Sequence, residues 1–314
     1  MLLRGRGLRW VPFTWALSML PVTMWWPILN AAAFRLELRA PIVLDAYKNS
    51  TNFPCMKQVF ILAVAGLISG AFALPAWGQD INKVEIKRIK DSRCLIANGI
   101  PDHPTGVFPN RGNPNAISEQ QLKGCVPLKP KRGPVPKFIK GIIGVAINGV
   151  PFRPNTAGFW DPNGRRGHSR HGNKNWSVEI FGAPGKLGLD FNNGHVGRAG
   201  MYHYHGIAIG LTKTSGSSLV GYARDGFEIH YIPSERKSGW QLKRGMRPSG
   251  GPLGVYDGSY NEDYEYVGGQ NRLDQCNGGE LLDKYVYFIT DKYPFVPRCL
   301  FGEISSDFDV NRHR

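Results

Sequence analysis

Helical periodicity is weak along almost the whole chain, and this limits the possible folds more than any other feature. The 39 glycines and 23 prolines among 314 residues divide it into short pieces. Proline removes a helix hydrogen bond, and glycine has much backbone entropy to lose on ordering. Between these breaks, apolar and polar residues alternate. Residues 82–89 (NKVEIKRI) read as one strand, residues 176–181 and 285–289 as two more, and residues 218–231 (SLVGYARDGFEIHY) as two strands around a turn. Residues 139–152 (IKGIIGVAINGVPF) carry apolar strand material and an Asn-Gly turn signal. The pattern predicts a mainly β protein, a single β-sandwich or barrel-like domain with long Gly/Pro-rich loops. No internal repeat is evident in the sequence.

Residues 56–78 (MKQVFILAVAGLISGAFALPAWG) have the layout of a secretory signal peptide. Lys57 follows a methionine, an apolar run covers 59–73, and small residues stand at Ala71, Ala73, Ala76 and Gly78. Residues 1–55 are then a spurious extension from an upstream start. The competing reading keeps them as an apolar N-terminal segment interrupted by Pro12, Pro21 and Pro27. The expected domain is 79–314, periplasmic or secreted, and membrane-anchored if 56–78 is not cleaved. Of five cysteines, Cys55 precedes Met56, which leaves Cys94, Cys125, Cys276 and Cys299. An even set in an exported domain suggests two disulfides. Three connectivities are open, and proximity favours Cys94 with Cys125 and Cys276 with Cys299. Each closure is worth about 3 kcal/mol on the chain-entropy model. The formal charge is +15. The densest basic run, residues 128–141, is broken by proline and glycine and reads as a solvated loop. Export and the lack of a nucleic-acid motif argue against nucleic acid as partner. An acidic polymer or a small ligand fits the charge.

The chemistry concentrates in residues 200–206, GMYHYHG. In a strand, His203 and His205 share one face, and Tyr202 and Tyr204 share the other. Two imidazoles on one face can converge on a metal ion, with zinc or copper the expected cofactor. Asp190 and His195 precede the motif. Asp225, Glu228 and His230 follow it in RDGFEIHY. The candidate ligands are therefore His203, His205, His195, Asp190, Glu228 and His230, with Asp225 as a general base or an orienting group. His168 and His171 lie in a polar loop and read as solvated, and His103 and His313 as incidental. A non-catalytic alternative uses Trp160, Trp176, Tyr256, Tyr260, Tyr264 and Tyr266 to stack on the sugars of a glycan or cell-surface polymer. A structural envelope protein is a third reading, with the Tyr-His run as a hydrogen-bonded network. The acids of residues 256–267 lack EF-hand spacing.

GMYHYHGI, LVGYARDGFEIHY, LDQCNGG and YVYFITDKYPFVPRC, in that order, resemble the YHYH domain family. ANGIPDHPTGVFPNRGNPNAISEQ and GVAINGVPF extend the resemblance over nearly all of residues 90–301. It implies export and the extent of the domain, and it implies no particular reaction. Where the family pattern is DGFPIY-like, this chain has DGFEIHY, with Glu228 for proline and His230 for tyrosine. That departure weakens Glu228 and His230 as ligands and favours His203, His205, Asp190, His195 and Asp225.

Overall fold

The computed structural model describes residues 81–182, 187–233 and 235–309. The expectations for residues 1–55 and for the signal peptide at 56–78 lie outside that range. The described residues cluster as one unit. Its first strands, β1 (Val84–Ile89), β2 (Ser92–Ala97) and β3 (Leu122–Pro127), form an antiparallel meander. Cys94 stands opposite Cys125 in the β2–β3 register, and the two form a disulfide.

A short strand β4 (Lys137–Phe138) leads to the hairpin of β5 (Gly144–Ala146) and β6 (Pro151–Phe152). The Asn148-Gly149 turn joins the hairpin, and Gly149 takes the positive φ that glycine tolerates. A small sheet follows, made of β7 (Phe159–Trp160), β8 (His168–Ser169) and β9 (Asn173–Ser177). Next come β10 (Gly194–Val196), β11 (Tyr202–Tyr204) and a six-residue helix α1 (Ile209–Thr214). A second hairpin pairs β12 (Leu219–Ala223) with β13 (Glu228–Tyr231). The last elements are β14 (Trp240–Leu242), β15 (Tyr264–Tyr266), β16 (Gly278–Leu281), β17 (Lys284–Ile289) and β18 (Cys299–Leu300). Strand β18 pairs with β4, and Cys299 forms the second disulfide with Cys276, both fully buried.

The fold is β-rich, as the alternation predicts. Its main sheet has eight strands in the order β10-β11-β6-β5-β12-β13-β17-β16. It is open, with β10 and β16 at its edges, so the barrel alternative is not realised. The largest core cluster lies on this sheet and includes Phe152, Tyr202, Tyr204, Ile229 and Tyr287, none of them exposed. Burying a large side chain of this kind contributes about 1.5–3 kcal/mol.

The strand order reads as a palindrome, and a repeat underlies it. Residues 144–152 (GVAINGVPF) match 221–229 (GYARDGFEI). Residues 189–194 (LDFNNG) match 273–278 (LDQCNG), and 202–205 (YHYH) match 285–288 (YVYF). At the centre, β5 and β12 pair antiparallel with Gly144 opposite Ala223, Val145 opposite Tyr222 and Ala146 opposite Gly221. That register maps onto itself when the halves are exchanged. The outer pairings are parallel in both halves, Tyr204 opposite Phe152 and Tyr287 opposite Ile229. At the edges, Gly194 faces Tyr204 and Gly278 faces Tyr287. The turns agree atom by atom. Asp190 Oδ1 accepts from the backbone N–H groups of Asn192 (2.9 Å) and Gly194 (2.8 Å), while Oδ2 accepts from Tyr202 Oη (2.7 Å). Asp274 Oδ1 accepts from Cys276 (2.9 Å) and Gly278 (2.7 Å), and Oδ2 from Tyr285 Oη (2.7 Å). Asn193 and Asn277 both carry a positive φ. The expectation of no repeat is therefore wrong. Nine of the nineteen residues in the matched segments are identical, but the segments are short and long insertions separate them.

Candidate metal centre

The turn anchored by Asp190 delivers β10 antiparallel to β11, with His195 directly opposite His203. Opposed residues in an antiparallel pair project to the same side, and so do residues two apart on one strand. His195, His203 and His205 therefore stand on one face at the edge of the main sheet. A ligating nitrogen from each lies within 4.8 Å of the others. The ring centroids are 5.3 Å apart for His195–His203, 5.6 Å for His195–His205 and 4.9 Å for His203–His205.

The tyrosines take the opposite face, as the alternation predicts. Tyr204 Oη accepts from Asn148 Nδ2 (2.9 Å) and lies 2.6 Å from His103 Nε2. His103 also stacks on the Tyr204 ring, so it is a buried member of this network rather than incidental. Burial pushes both tyrosine hydroxyls far above their ordinary pKa, and the neighbouring Asp190 carboxylate adds to the shift.

On the histidine face the electrostatics favour neutral imidazole. Burial, with the field of Arg153 second, lowers His195 to about 4. The same causes hold His203 well below its ordinary value. In His205, burial is joined by repulsion from the other two histidines and from Arg153. Neutral imidazole is the form that binds metal. His203 Nδ1 is 2.9 Å from the Met201 carbonyl, which fixes the tautomer and leaves Nε2 free. His195 makes a backbone hydrogen bond with Leu187, and its buried Nδ1 has no partner. Both ring nitrogens of His205 are buried without a partner. A buried polar group left unpaired costs about 1–3 kcal/mol. One nitrogen from each of His195, His203 and His205 gives a donor set suited to a transition metal, which imidazole ligands fit.

The other half of the repeat gives a direct comparison. The positions of His195, His203 and His205 are occupied there by Gly279, Val286 and Phe288. Val286 and Phe288 pack with Leu273 in a small apolar cluster. The scaffold thus forms without histidine at these places.

The remaining predicted ligands lie elsewhere. Both oxygens of Asp190 are taken up in its turn and by Tyr202 on the tyrosine face, and Oδ2 also accepts from the Gly106 N–H (3.1 Å). The structure does not bring Asp190 into the histidine cluster. Asp225 is fully buried, and Oδ2 accepts from Tyr287 Oη (2.7 Å) and the Gly302 N–H (2.9 Å). Burial raises its pKa, opposed by these hydrogen bonds. Its place matches that of Asn148, which reaches Tyr204 as Asp225 reaches Tyr287. Neither a base nor an orienting role at the histidines has support from that position. Glu228 and His230 share a face of β13, as expected, and contact each other at 2.9 Å, with Ser218 Oγ 3.0 Å from His230 Nδ1. They form a separate pair. His168 is half-buried in β8 rather than solvated, and His171 is exposed.

Four of the six aromatic residues proposed for sugar stacking pack against other rings. Trp176 packs edge-on against Tyr260, Tyr264 stacks on Tyr293 at 3.8 Å, and Tyr266 meets Trp240. Asp257 and Asp263 are paired with Arg247, which accounts for two of the acids in residues 256–267.

The YHYH protein family model matches residues 124–302, more than half of the chain. The chain belongs to the YHYH family. The matched region begins inside β3 and contains both halves of the repeat and all three clustered histidines. No curated protein and no solved structure matches the chain.

Arg153 is the site residue that the sequence reading missed. It directly follows Phe152 at the end of β6, and its charge acts on all three histidines. The available signal was its place after GVAINGVPF, at the position that His230 occupies in the other half.

Proposed function

We propose that this YHYH protein is an exported metalloprotein that binds one zinc or copper ion through His195, His203 and His205. The observation that carries this reading is the convergence of three imidazoles at one end of a two-fold repeat whose other end holds an apolar cluster, with His195 Nδ1 and both nitrogens of His205 buried without a partner. A structural core would gain nothing from that exchange, whereas an ion would pair one nitrogen of each ring. Nitrogens bound tetrahedrally at about 2.0–2.1 Å from zinc stand roughly 3.3 Å apart. Small side-chain rotations bring the three donors to that spacing from within 4.8 Å.

Three protein ligands leave a fourth position, which is characteristic of catalytic rather than closed structural sites. The histidines line a pocket of about 420 Å³ through which a water or ligand reaches that position. Bound zinc would supply Lewis acidity and an acidified water. The Met201 carbonyl orients His203, and the tyrosine face holds the strand. The two disulfides support export. Among the described residues, no helix is long and apolar enough to cross a membrane.

X-ray absorption on the zinc-loaded protein tests the ligand set. The expected result is a shell of three imidazole nitrogens at about 2.0–2.1 Å completed by oxygen. A sulfur shell, or an all-oxygen shell, would overturn the assignment.

A further inference from the structure

The pocket over the three histidines is also lined by Arg153, Arg170 and Arg198, and by no carboxylate. Arg153 is partly buried, and its Nε is sealed from solvent without a hydrogen-bond partner. Desolvation holds its pKa below the ordinary arginine value. Among the described residues, three arginines with side chains 8% exposed or less face acids, whereas Arg236, whose Nε is also sealed without a partner, has no ion pair. Arg224 meets Asp309 at 2.9 Å, Arg247 meets Asp263 at 2.6 Å, and Arg298 meets Glu179 at 3.3 Å. Among the described residues, no ion pair involves Arg153.

A desolvated guanidinium without a counter-charge is costly, and one next to a metal cation more so. An oxyanion would pair with Arg153 and at the same time offer an oxygen to the fourth metal position. Guanidinium is the side chain best shaped to hold a carboxylate or phosphate through two parallel hydrogen bonds. The volume, about 420 Å³, falls in the range of small-molecule pockets.

We propose that this pocket binds a small ligand through a carboxylate or phosphate group, anchored by Arg153, with Arg170 and Arg198 at its rim. The proposal rests on the metal reading only for the contact between the ligand and the ion. The anchoring by Arg153 stands without it.

The test begins by measuring the zinc content of wild type and Arg153→Gln. Inorganic phosphate and acetate are then titrated calorimetrically, each into zinc-loaded and metal-free protein at about physiological ionic strength, where long-range charge effects are screened. Wild type is expected to bind at least one of the two anions saturably, one per chain, and more tightly with zinc. Arg153→Gln should weaken this at least tenfold in both forms with zinc content unchanged. Arg88→Gln, the same charge change on an exposed residue of β1, should stay within twofold of wild type. If Arg153→Gln does not fold, Arg153→Lys, which keeps the charge and loses the fork, should bind several-fold more weakly. Equal affinity in wild type and the folded Arg153 variant, an equal loss in Arg88→Gln, or no saturable binding of either anion would overturn the proposal. A protein that holds no zinc overturns the metal reading alone, since the metal-free titration still decides the anion site. Whichever anion binds more tightly identifies the group recognised.

Discussion

Replacing His205 by phenylalanine should stabilise the metal-free protein. Both ring nitrogens of His205 are buried and unpaired, each at a cost of about 1–3 kcal/mol. Phenylalanine is the residue that the other half of the repeat places at the matched position, where Phe288 is fully buried. The larger ring borders the pocket of about 420 Å³, which leaves room for its extra volume. Overpacking in a filled core costs about 1–3 kcal/mol, so the net gain expected for His205→Phe is about 1–3 kcal/mol. For a domain of this size, each kcal/mol raises Tm by roughly 2–4 °C. Zinc has the opposite preference. At a hundred times its Kd, it adds about 2.7 kcal/mol to the wild type, and the variant should lose most of that. Thermal melts of both proteins in a chelator and in zinc measure the four quantities. A variant destabilised by 1 kcal/mol or more in chelator would refute the reasoning, because His205 would then be a satisfied core residue. Undiminished stabilisation by zinc would refute it from the other side.

In the metal-free protein, stability should fall as pH drops from about 6.5 toward 4. His195 is lowered to about 4 and His203 and His205 lie well below their ordinary value, so the unfolded chain takes up protons there that the folded one does not. The loss reaches about 1.4 kcal/mol per pH unit for each histidine in that window, and urea midpoints that do not move between pH 7 and 5 would contradict it. Asp225→Asn should leave metal content unchanged, since an amide oxygen still accepts from Tyr287 and Gly302 and the matched residue is Asn148. Asp225→Ala, which strands both donors, should cost about 2–5 kcal/mol in urea unfolding, and loss of metal in Asp225→Asn would return that residue to the site. Replacing Cys276 and Cys299 together by serine should lower stability by about 3 kcal/mol, read from the same urea curves, and an unshifted midpoint would count against the closure argument.

The elements legible in the sequence were those set by local rules. The alternation of YHYH placed the histidines and tyrosines on opposite faces, and β11 places them so. Proximity picked both disulfides, because each closes a local loop. The Asn-Gly signal marked the β5–β6 hairpin. What failed depended on distant pairing. Asp190 stands four residues before Gly194 and close to the motif in the chain, yet its turn points it to Tyr202, behind the histidines. Asp225 and His103 looked like a general base or orienting group and an incidental histidine, and only the tertiary fold assigns them to Tyr287 and Tyr204. The repeat was hidden because its matched segments are short and separated by long insertions. Arg153 carried no motif, and its role follows from a parallel strand pairing, β6 with β11, that spans a long insertion.

The most direct measurement is elemental analysis of the purified protein, wild type beside His203→Ala/His205→Ala. The account predicts about one equivalent of zinc or copper in the wild type and almost none in the variant. Equal metal in both, or none in a folded wild type grown with zinc and copper supplied, would contradict it.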